Sequence, residues 1–401
     1  MIDYLEKGTI TSAKGIKAAG IYCGLKKQKK DLALIYSDTP ANVGGTFTLN
    51  KVQAAPLLIS KKIISKNQKI RAILINSGNA NACTGEKGFN NAIDVQEYCA
   101  KYLGIDKEEV LISSTGVIGV QLNIDKIKEG ITEIQLSDSN SAGYDAAEAI
   151  MTTDTYPKSF ACKVQLSKGE VTIGGICKGS GMIMPNMATM LAFIATDADV
   201  PKYLVQQSIS EAVKKSFNRI SVDGDTSTND MVVLMANGAS EVSITEENSD
   251  YQLFKVALRD LCKKMAMAIV KDGEGATKFI SVKVGSAKSE IDADSAAKAV
   301  VNSPLVKTAI YGADANWGRI LSAVGNSGIN FSPEKVMIKV GELSLLTPGY
   351  ISNFDESAAR EILLKKEVDI TIELNEGQAS TNWWTCDFSE QYIKINANYR
   401  T

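Results

Sequence analysis

The amino-acid sequence predicts a mixed α/β fold, and three observations support this prediction. Short apolar segments that resemble strands alternate with longer segments whose apolar residues recur at helical spacing. Some neighbouring strand-like segments, such as 160–167 and 170–177, are separated only by a short polar turn, which favours hairpins over a doubly wound sheet. The 401 residues exceed what one simple core holds, so we expect two or three substructures.

Composition narrows the class of protein further. The 44 basic and 46 acidic residues give a net charge of −2, which argues against binding to nucleic acid or to an anionic membrane. The N-terminal residues lack the apolar core of a signal peptide, and no apolar run is long enough to cross a bilayer. Seven scattered cysteines without a Cys-x-x-Cys motif indicate reduced thiols, so we expect a cytoplasmic protein.

The first half of the chain is predicted from apolar spacing, caps and turn residues. The elements are strands at 14–21 and 31–36, a helix capped by Asn50, a strand at 70–75, a helix at 89–103, a strand at 109–115, helices at 123–134 and 142–151, and the hairpin at 160–167 and 170–177. Two loops follow strands. The segment 76–85 is rich in small polar residues and is either a turn or the lining of a site. At Thr115-Gly116 a hydroxyl and a backbone N–H leave the strand together, either as an oxyanion hole or as a simple turn.

The stretch from Lys178 to Ala195 has two unlike parts. Its first part is rich in Gly, Met and small residues, with a Pro and an Asn that interrupt regular structure. The run 189–196 is almost wholly apolar, as in a strand buried on both faces. Thr189 lies at the junction. It is either the first β-branched residue of the strand or a nucleophile that the strand holds in place.

The chain contains no histidine, which limits how a hydroxyl can be activated. A Ser-His-Asp or Cys-His arrangement is excluded, and so is a metal site with histidine ligands. The base must be a lysine, a carboxylate or an α-amino group. An N-terminal threonine supplies the last of these, because its own amine titrates near pH 7.7–8 and can accept the proton of its own hydroxyl.

The second half continues the alternation of strands and helices. The predicted elements are a helix that follows 197–201, a strand at 231–235, a helix at 249–270, and further strands and helices at 278–285, 291–303, 306–312, 317–325, 335–341, 355–365, 367–374 and, as a final strand, 391–398. The segment 221–230 fails the calcium-loop pattern and is interpreted as a capped polar loop. The glycines around Glu274 either let the backbone close around a ligand or end a helix in solvent. No phosphate-binding or dinucleotide motif is present.

Several motifs together resemble the ornithine acetyltransferase family, the self-cleaving glutamate N-acetyltransferases of arginine biosynthesis. The resemblance covers essentially the whole chain. The motifs that carry it are Asn76–Ala82, Ser114-Thr-Gly116, Thr152–Thr155 with Pro157-Lys158, Lys178–Met182, Met184–Leu191, Gly273-Glu-Gly275, Gly312–Gly318 and the Asn-Ala-x-Tyr segment at 396–399.

The resemblance implies a precursor that cuts itself between Ala188 and Thr189. It also implies an α chain of residues 1–188, a β chain of residues 189–401 and a smaller C-terminal α/β subdomain at about 279–401. The fold would be the layered type of the ornithine acetyltransferases and D-aminopeptidases. The expected assembly is an α2β2 heterotetramer. By resemblance, Thr189 is the nucleophile, and Thr115 and Gly116 form the oxyanion hole. The substrate-binding positions are Thr155, Lys178, Thr189, Glu274, Asn396 and Thr401.

The implied reaction is a ping-pong acetyl transfer. N2-acetylornithine acetylates the threonine and leaves as ornithine, and glutamate then departs as N-acetylglutamate. No cofactor or metal is expected, although acetyl-CoA is a further candidate donor. Two alternatives stay open. One is a self-processing hydrolase or aminopeptidase of similar fold, and the other is a non-catalytic amino-acid-binding protein.

Overall fold

The computed structural model describes residues 2–66, 68–184 and 190–398. The chain divides into two compact units. The larger unit comprises 1–218 and 225–269, and the smaller unit comprises 219–224 and 270–401.

Strands and helices alternate along the chain, as the mixed α/β prediction requires. The strands are β1 Ile2–Tyr4, β2 Ile16–Ile21, β3 Leu32–Phe47, β4 Ile70–Asn79, β5 Val110–Val117, β6 Lys158–Leu166, β7 Gly169–Lys178, β8 Leu191–Thr196, β9 Ile220–Ser221, β10 Met231–Ala236, β11 Phe279–Ala287, β12 Met337–Val340, β13 Leu343–Leu346, β14 Glu367–Glu373 and β15 Ala379–Cys386. The helices are α1 Ala55–Ser65, α2 Gly85–Leu103, α3 Ile124–Glu133, α4 Asn140–Ala149, α5 Lys202–Lys214, α6 Ser249–Lys271, α7 Glu290–Val301, α8 Pro304–Tyr311, α9 Trp317–Gly325, α10 Glu356–Leu363 and α11 Glu390–Ala397. Among the described residues, no helix is both long enough and apolar enough to span a membrane.

The larger unit is built on one sheet in the order β1-β6-β7-β8-β10-β3-β4-β5, with β2 paired to β3. Strands β6, β7 and β8 are successively antiparallel, whereas β8 and β10 run parallel, as do β4 and β5. Every residue of β8 and β10 is buried. Such strands read as continuous apolar runs, because both of their faces are covered. The prediction of a buried strand after residue 189 is therefore confirmed for 191–196.

The smaller unit has its own sheet in the order β13-β12-β14-β11-β15-β9. Strands β11 and β14 pair in parallel, and β15 lies antiparallel to the other side of β11. Alanines and valines of α7 belong to the core of this unit, together with alternate residues of β11 and β14. Mixed pairing in both sheets confirms the predicted fold class.

Two predicted elements were wrong. The predicted strand 391–398 is wrong: residues 391–397 belong to the helix α11, because Ser389 accepts a hydrogen bond from Gln391 N–H and caps a helix there. The alternating Ile393 and Ile395 suggested a strand, yet α11 has no buried residue among those described. Asn50 does not cap a helix. Its Oδ1 accepts a hydrogen bond from Val52 N–H. Helix α1 begins later, at Ala55, with Pro56 in its first turn.

Several strands differ from the prediction in extent or were missed, and β1, β9 and β13 are among those missed. Strand β3 continues to Phe47 and β4 continues to Asn79, so part of the predicted polar loop after residue 75 is strand. Strand β15 was not predicted at all. Its buried residues include Thr381 and Thr385, which an apolar pattern does not register.

Candidate active site

The parallel strands β4 and β5 end side by side in the larger unit. Asn76, Ser77 and Gly78 pair with Ser114, Thr115 and Gly116, respectively. Ser114 Oγ donates to Asn76 Oδ1 at 2.6 Å, and this bond ties the two strand ends together through side chains.

Only glycine fits at position 116. Its φ of +130° lies in the region that favours glycine, and an added Cβ would lie 2.4 Å from the Gly78 carbonyl carbon. The buried Thr115 side chain and the Gly116 backbone are therefore held at one fixed point, the end of β5.

The side chains of Lys178 and Thr115 are in contact, although the two residues are far apart in sequence. Lys178 is the last residue of β7, and it is buried with 2 % of its surface exposed. Its Nζ donates to Thr115 Oγ1 at 3.2 Å. A hydroxyl that accepts from an ammonium group must direct its own hydrogen elsewhere. This contact therefore prepares Thr115 to donate to a third group.

The buried carboxylate of Asp154 offsets the positive charge of Lys158 and Lys178. Asp154 accepts hydrogen bonds from Lys158 Nζ at 2.7 Å, Gly179 N–H at 2.7 Å and Thr152 N–H at 3.0 Å. Burial by itself raises the pKa of Asp154, but the ammonium groups of Lys158 and Lys178 outweigh burial and lower the pKa to about 2. Asp154 is therefore ionised at neutral pH and connects the 152–155 segment to the end of β7.

Lys26 is a further basic residue near Lys178. Its Nζ donates to the carbonyls of Lys30 and Met151, at 2.9 and 2.6 Å. Burial lowers the pKa of Lys26 to about 8, and the Lys178 ammonium adds to that shift while the Asp31 carboxylate opposes it. Lys26 thereby holds the start of the 151–155 segment.

The segment 227–230 proved more than a capped polar loop. Asn229 and Asp230 are buried directly before β10, and Asp230 Oδ1 accepts a hydrogen bond from Met190 N–H at 3.0 Å. Neither these two residues nor Asp154 and Lys26 were predicted as site residues from the sequence. The available signal was a short polar cluster immediately before an all-apolar strand.

In the smaller unit the structure brings Glu274 and Asn396 together. Asn396 Nδ2 donates to Glu274 Oε2 at 2.8 Å. Gly275 has a φ of +71°, and an added Cβ would lie 2.5 Å from Tyr392 N, so only glycine lets α11 approach this closely. The close approach of a helix, rather than a solvated helix end, accounts for this glycine.

The other predicted site residues are distributed as follows. Thr155 lies in the larger unit, exposed and directly after Asp154. Ala188, Thr189 and Thr401 lie outside the described residues. Within the described ranges, no group of three or more Cys, Asp or Glu side chains is placed to hold a metal ion.

A family model described as "ArgJ family" matches residues 17–401. The chain belongs to the ArgJ family. It is 49% identical over 399 residues to the arginine biosynthesis bifunctional protein ArgJ of Caldanaerobacter subterraneus subsp. tengcongensis, covering 98% of this chain and 99% of that protein. It is 45% identical to the Bacillus subtilis protein of the same name, covering 98% of this chain and 97% of that protein.

The solved structures that resemble this ArgJ family chain include an ornithine acetyltransferase from Mycobacterium tuberculosis, complexed with ornithine. It is 35% identical, with a TM-score of 0.43, and the match covers 46% of this chain and 98% of that chain. Membership of the ArgJ family confirms the resemblance drawn from the motifs.

Proposed function

We propose that this protein is a glutamate N-acetyltransferase of arginine biosynthesis, which moves an acetyl group from N2-acetylornithine to glutamate. The single observation that carries the proposal is membership of the ArgJ family along 17–401, with full-length relatives at up to 49% identity. The Lys178–Thr115 contact supports it, because it prepares a hydroxyl donor at the position that the family uses for an oxyanion hole.

The first half-reaction acetylates Thr189. Its α-amine accepts the hydroxyl proton while the oxygen attacks the acetyl carbonyl of acetylornithine. The tetrahedral oxyanion is stabilised by the Thr115 hydroxyl and the Gly116 N–H. When the C–N bond breaks, the protonated amine returns its proton to the departing nitrogen, and ornithine leaves. Glutamate then attacks the acetyl ester by the reverse sequence and leaves as N-acetylglutamate.

The α-amine must first be freed from the peptide chain. We propose that the Thr189 hydroxyl attacks the Ala188 carbonyl, that the acyl group shifts from nitrogen to oxygen, and that water hydrolyses the resulting ester. The products are an α chain of 1–188 and a β chain of 189–401. We further propose that these chains form a cytoplasmic α2β2 heterotetramer.

Substrate recognition is assigned by chemistry and by resemblance. Both amino-acid substrates carry an α-carboxylate, and they are similar in length, so one pocket can serve both. Glu274 suits the side-chain ammonium of ornithine, whereas Lys178, Asn396 and Thr401 suit carboxylates. Thr155 completes the proposed set. The transfer between two amines needs no cofactor, and acetyl-CoA is the second donor to test because its thioester carries the same acetyl group.

Replacing the nucleophile tests this proposal. Thr189→Ala removes the hydroxyl, so we expect one uncut full-length chain without transferase activity. Intact mass spectrometry before and after addition of acetylornithine measures both events. Wild-type protein should give two chains, of which the β chain gains one acetyl group.

Thr189→Ser is the matched control, since it keeps the hydroxyl and should still be cut and acetylated. The proposal fails if the wild-type protein transfers acetyl groups as one intact chain. Release of acetate without formation of acetylglutamate would instead identify a hydrolase. An intact chain that binds acetylornithine without gaining mass would identify a non-catalytic binding protein.

A further inference from the structure

The 227–230 loop is a buried polar segment that contacts Met190 on one side and the carbonyls of Ala80 and Ser114 on the other. Backbone and hydroxyl contacts fix its course: Thr48 N–H donates to the Asp230 carbonyl, Thr48 Oγ1 donates to the Ser227 carbonyl, and Ala54 N–H donates to the Thr228 carbonyl. All four residues of the loop are buried. Most buried polar side-chain atoms in native proteins have a hydrogen-bond partner, so the partners of this loop are informative.

Asn229 holds the oxyanion side. Its Nδ2 donates to the carbonyl of Ala80 at 2.7 Å and to the carbonyl of Ser114 at 2.8 Å. Ser114 directly precedes Thr115, and Ala80 directly follows β4. Both hydrogens of one amide group are therefore used to fix the ends of the two strands.

Asp230 holds the nucleophile side. Its Oδ1 accepts from Met190 N–H at 3.0 Å, and Met231 N–H donates to the Met190 carbonyl at 3.2 Å. Met190 N–H belongs to the peptide bond that joins Met190 to Thr189. The carboxyl thus fixes the peptide immediately after the proposed nucleophile.

The second oxygen of this carboxyl is unusual. Asp230 Oδ2 is buried and has no hydrogen-bond partner among the described residues. Burial raises the pKa of Asp230 well above its usual range, and the opposing effects of Met190 N–H, the Thr48 and Ser227 hydroxyls and the Lys178 ammonium do not offset it. The surroundings of Asp230 therefore disfavour the ionised form of its carboxyl more than water does.

We infer that Asn229 and Asp230 are positioning residues, which hold the strand end that carries Thr115 and the peptide that follows Thr189 in a fixed relation. The inference rests on the proposed function. It assigns neither residue to the reacting atoms. The geometry requires a donor at position 229 and an acceptor at position 230.

Two isosteric substitutions test this requirement in opposite directions. Asp230→Asn keeps an oxygen that can accept from Met190 N–H and stays neutral, so cleavage and kcat should remain within about threefold of wild type. Asn229→Asp removes both donated hydrogen bonds. We expect kcat to fall by about 10- to 100-fold, the factor for a buried group left without its partner, while KM stays within about twofold.

Asp230→Leu completes the set, because it has a similar volume but no acceptor. It should lower kcat as Asn229→Asp does, and hydrogen exchange at the Met190 amide should become faster than in Asp230→Asn.

Thr46→Val is the matched control, since Thr46 Oγ1 is also buried in this sheet without a partner among the described residues. It should leave kcat unchanged, with all melting temperatures recorded alongside.

The outcomes separate this inference from the proposed function. If the wild-type protein transfers acetyl groups and Asp230→Asn loses as much activity as Asn229→Asp, the positioning role of Asp230 as an acceptor for Met190 N–H is wrong. Full activity in Asp230→Leu and Asn229→Asp would also overturn it. If the wild-type protein transfers nothing, the proposed function fails, and exchange at the Met190 amide still tests the hydrogen bond by itself.

Discussion

Asp154 and Asp230 are buried aspartates of the larger unit whose surroundings shift their pKa values in opposite directions. Burial raises both pKa values, but Asp154 also faces Lys158, Lys178 and several N–H donors, which lower its pKa to about 2. Asp230 has an unpartnered oxygen among the described residues, and its pKa stays well above the usual range. The ammonium groups that face Asp154, above all that of Lys158, and not the depth of burial, separate the two side chains.

These opposite shifts predict opposite effects of pH on stability. The unfolded pKa of aspartate is about 3.9. Asp154 therefore contributes roughly 2 to 3 kcal/mol to the free energy of unfolding at neutral pH, and this contribution is lost as pH falls from about 4 to about 2. For Asp230 the unfolded carboxyl ionises first, so its contribution declines as pH rises above about 4.

Melting temperatures of two asparagine variants check these signs. Asp154→Asn should melt below wild type at pH 7, and the gap should narrow in acid. Asp230→Asn should melt above wild type at pH 7, because it removes a carboxyl whose ionisation is disfavoured by burial in the folded state, and this gain should shrink near pH 4. A gain for Asp154→Asn at pH 7, or a loss for Asp230→Asn that grows with pH, would contradict the directions of the two pKa shifts.

The paired ends of β4 and β5 decide the geometry of the proposed oxyanion hole. Gly116→Ala should lower kcat by about a hundredfold or more, because an added Cβ meets the Gly78 carbonyl carbon and moves the N–H that is expected to stabilise the oxyanion. Steady-state kinetics with acetylornithine and glutamate measures the loss.

Gly119→Ala is the control for backbone strain. Gly119 also has a positive φ, +80°, but an added Cβ meets nothing within 4 Å. It should cost roughly 1 kcal/mol of stability and leave kcat near the wild-type value. Equal losses in the two variants would mean that strain, and not the position of the Gly116 N–H, explains the effect.

At the level of elements, the sequence predicted strands and helices where burial follows a simple apolar period. It failed where another interaction decides the structure. Ser389 caps a helix at α11, although the isoleucines there alternate as in a strand. Thr381 and Thr385 of β15 are buried and pair with β11, but an apolar pattern does not register threonines.

The candidate site was predictable only in part. Thr115, Gly116 and Lys178 were assigned through resemblance to a family, but the hydrogen bond between Lys178 and Thr115 joins residues 63 positions apart. Asn229 and Asp230 were missed because a linear pattern does not show which way a polar side chain points. Contacts of this kind arise only when the strand order of the sheet is known.

On the scale of the whole molecule, the strand order explains how the protein would stay assembled after the proposed cleavage. The proposed α chain supplies β1, β6 and β7 on one side and β3, β4 and β5 on the other, and β8 and β10 of the proposed β chain lie between them. Ladders from β7 to β8 and from β10 to β3 connect the chains on both sides.

This arrangement predicts that cleavage does not release either chain. The cut protein should elute as one species in size-exclusion chromatography, even after long dilution, because separation requires breaking two buried ladders. The chains should come apart only at denaturant concentrations that also abolish the circular dichroism of the sheet. Uncut Thr189→Ala protein is the control for elution volume. Loss of one chain on dilution alone would contradict the interleaved order.

The pairing of Lys178 with Leu191 has a further consequence for how the protein matures. Strands β7 and β8 are antiparallel neighbours, so the proposed cleavage between them leaves their ladder intact. The proposed cleavage chemistry uses groups that only the folded sheet brings together. If the proposal holds, a newly made chain stays inactive until it has folded, and a misfolded chain does not acquire its nucleophile.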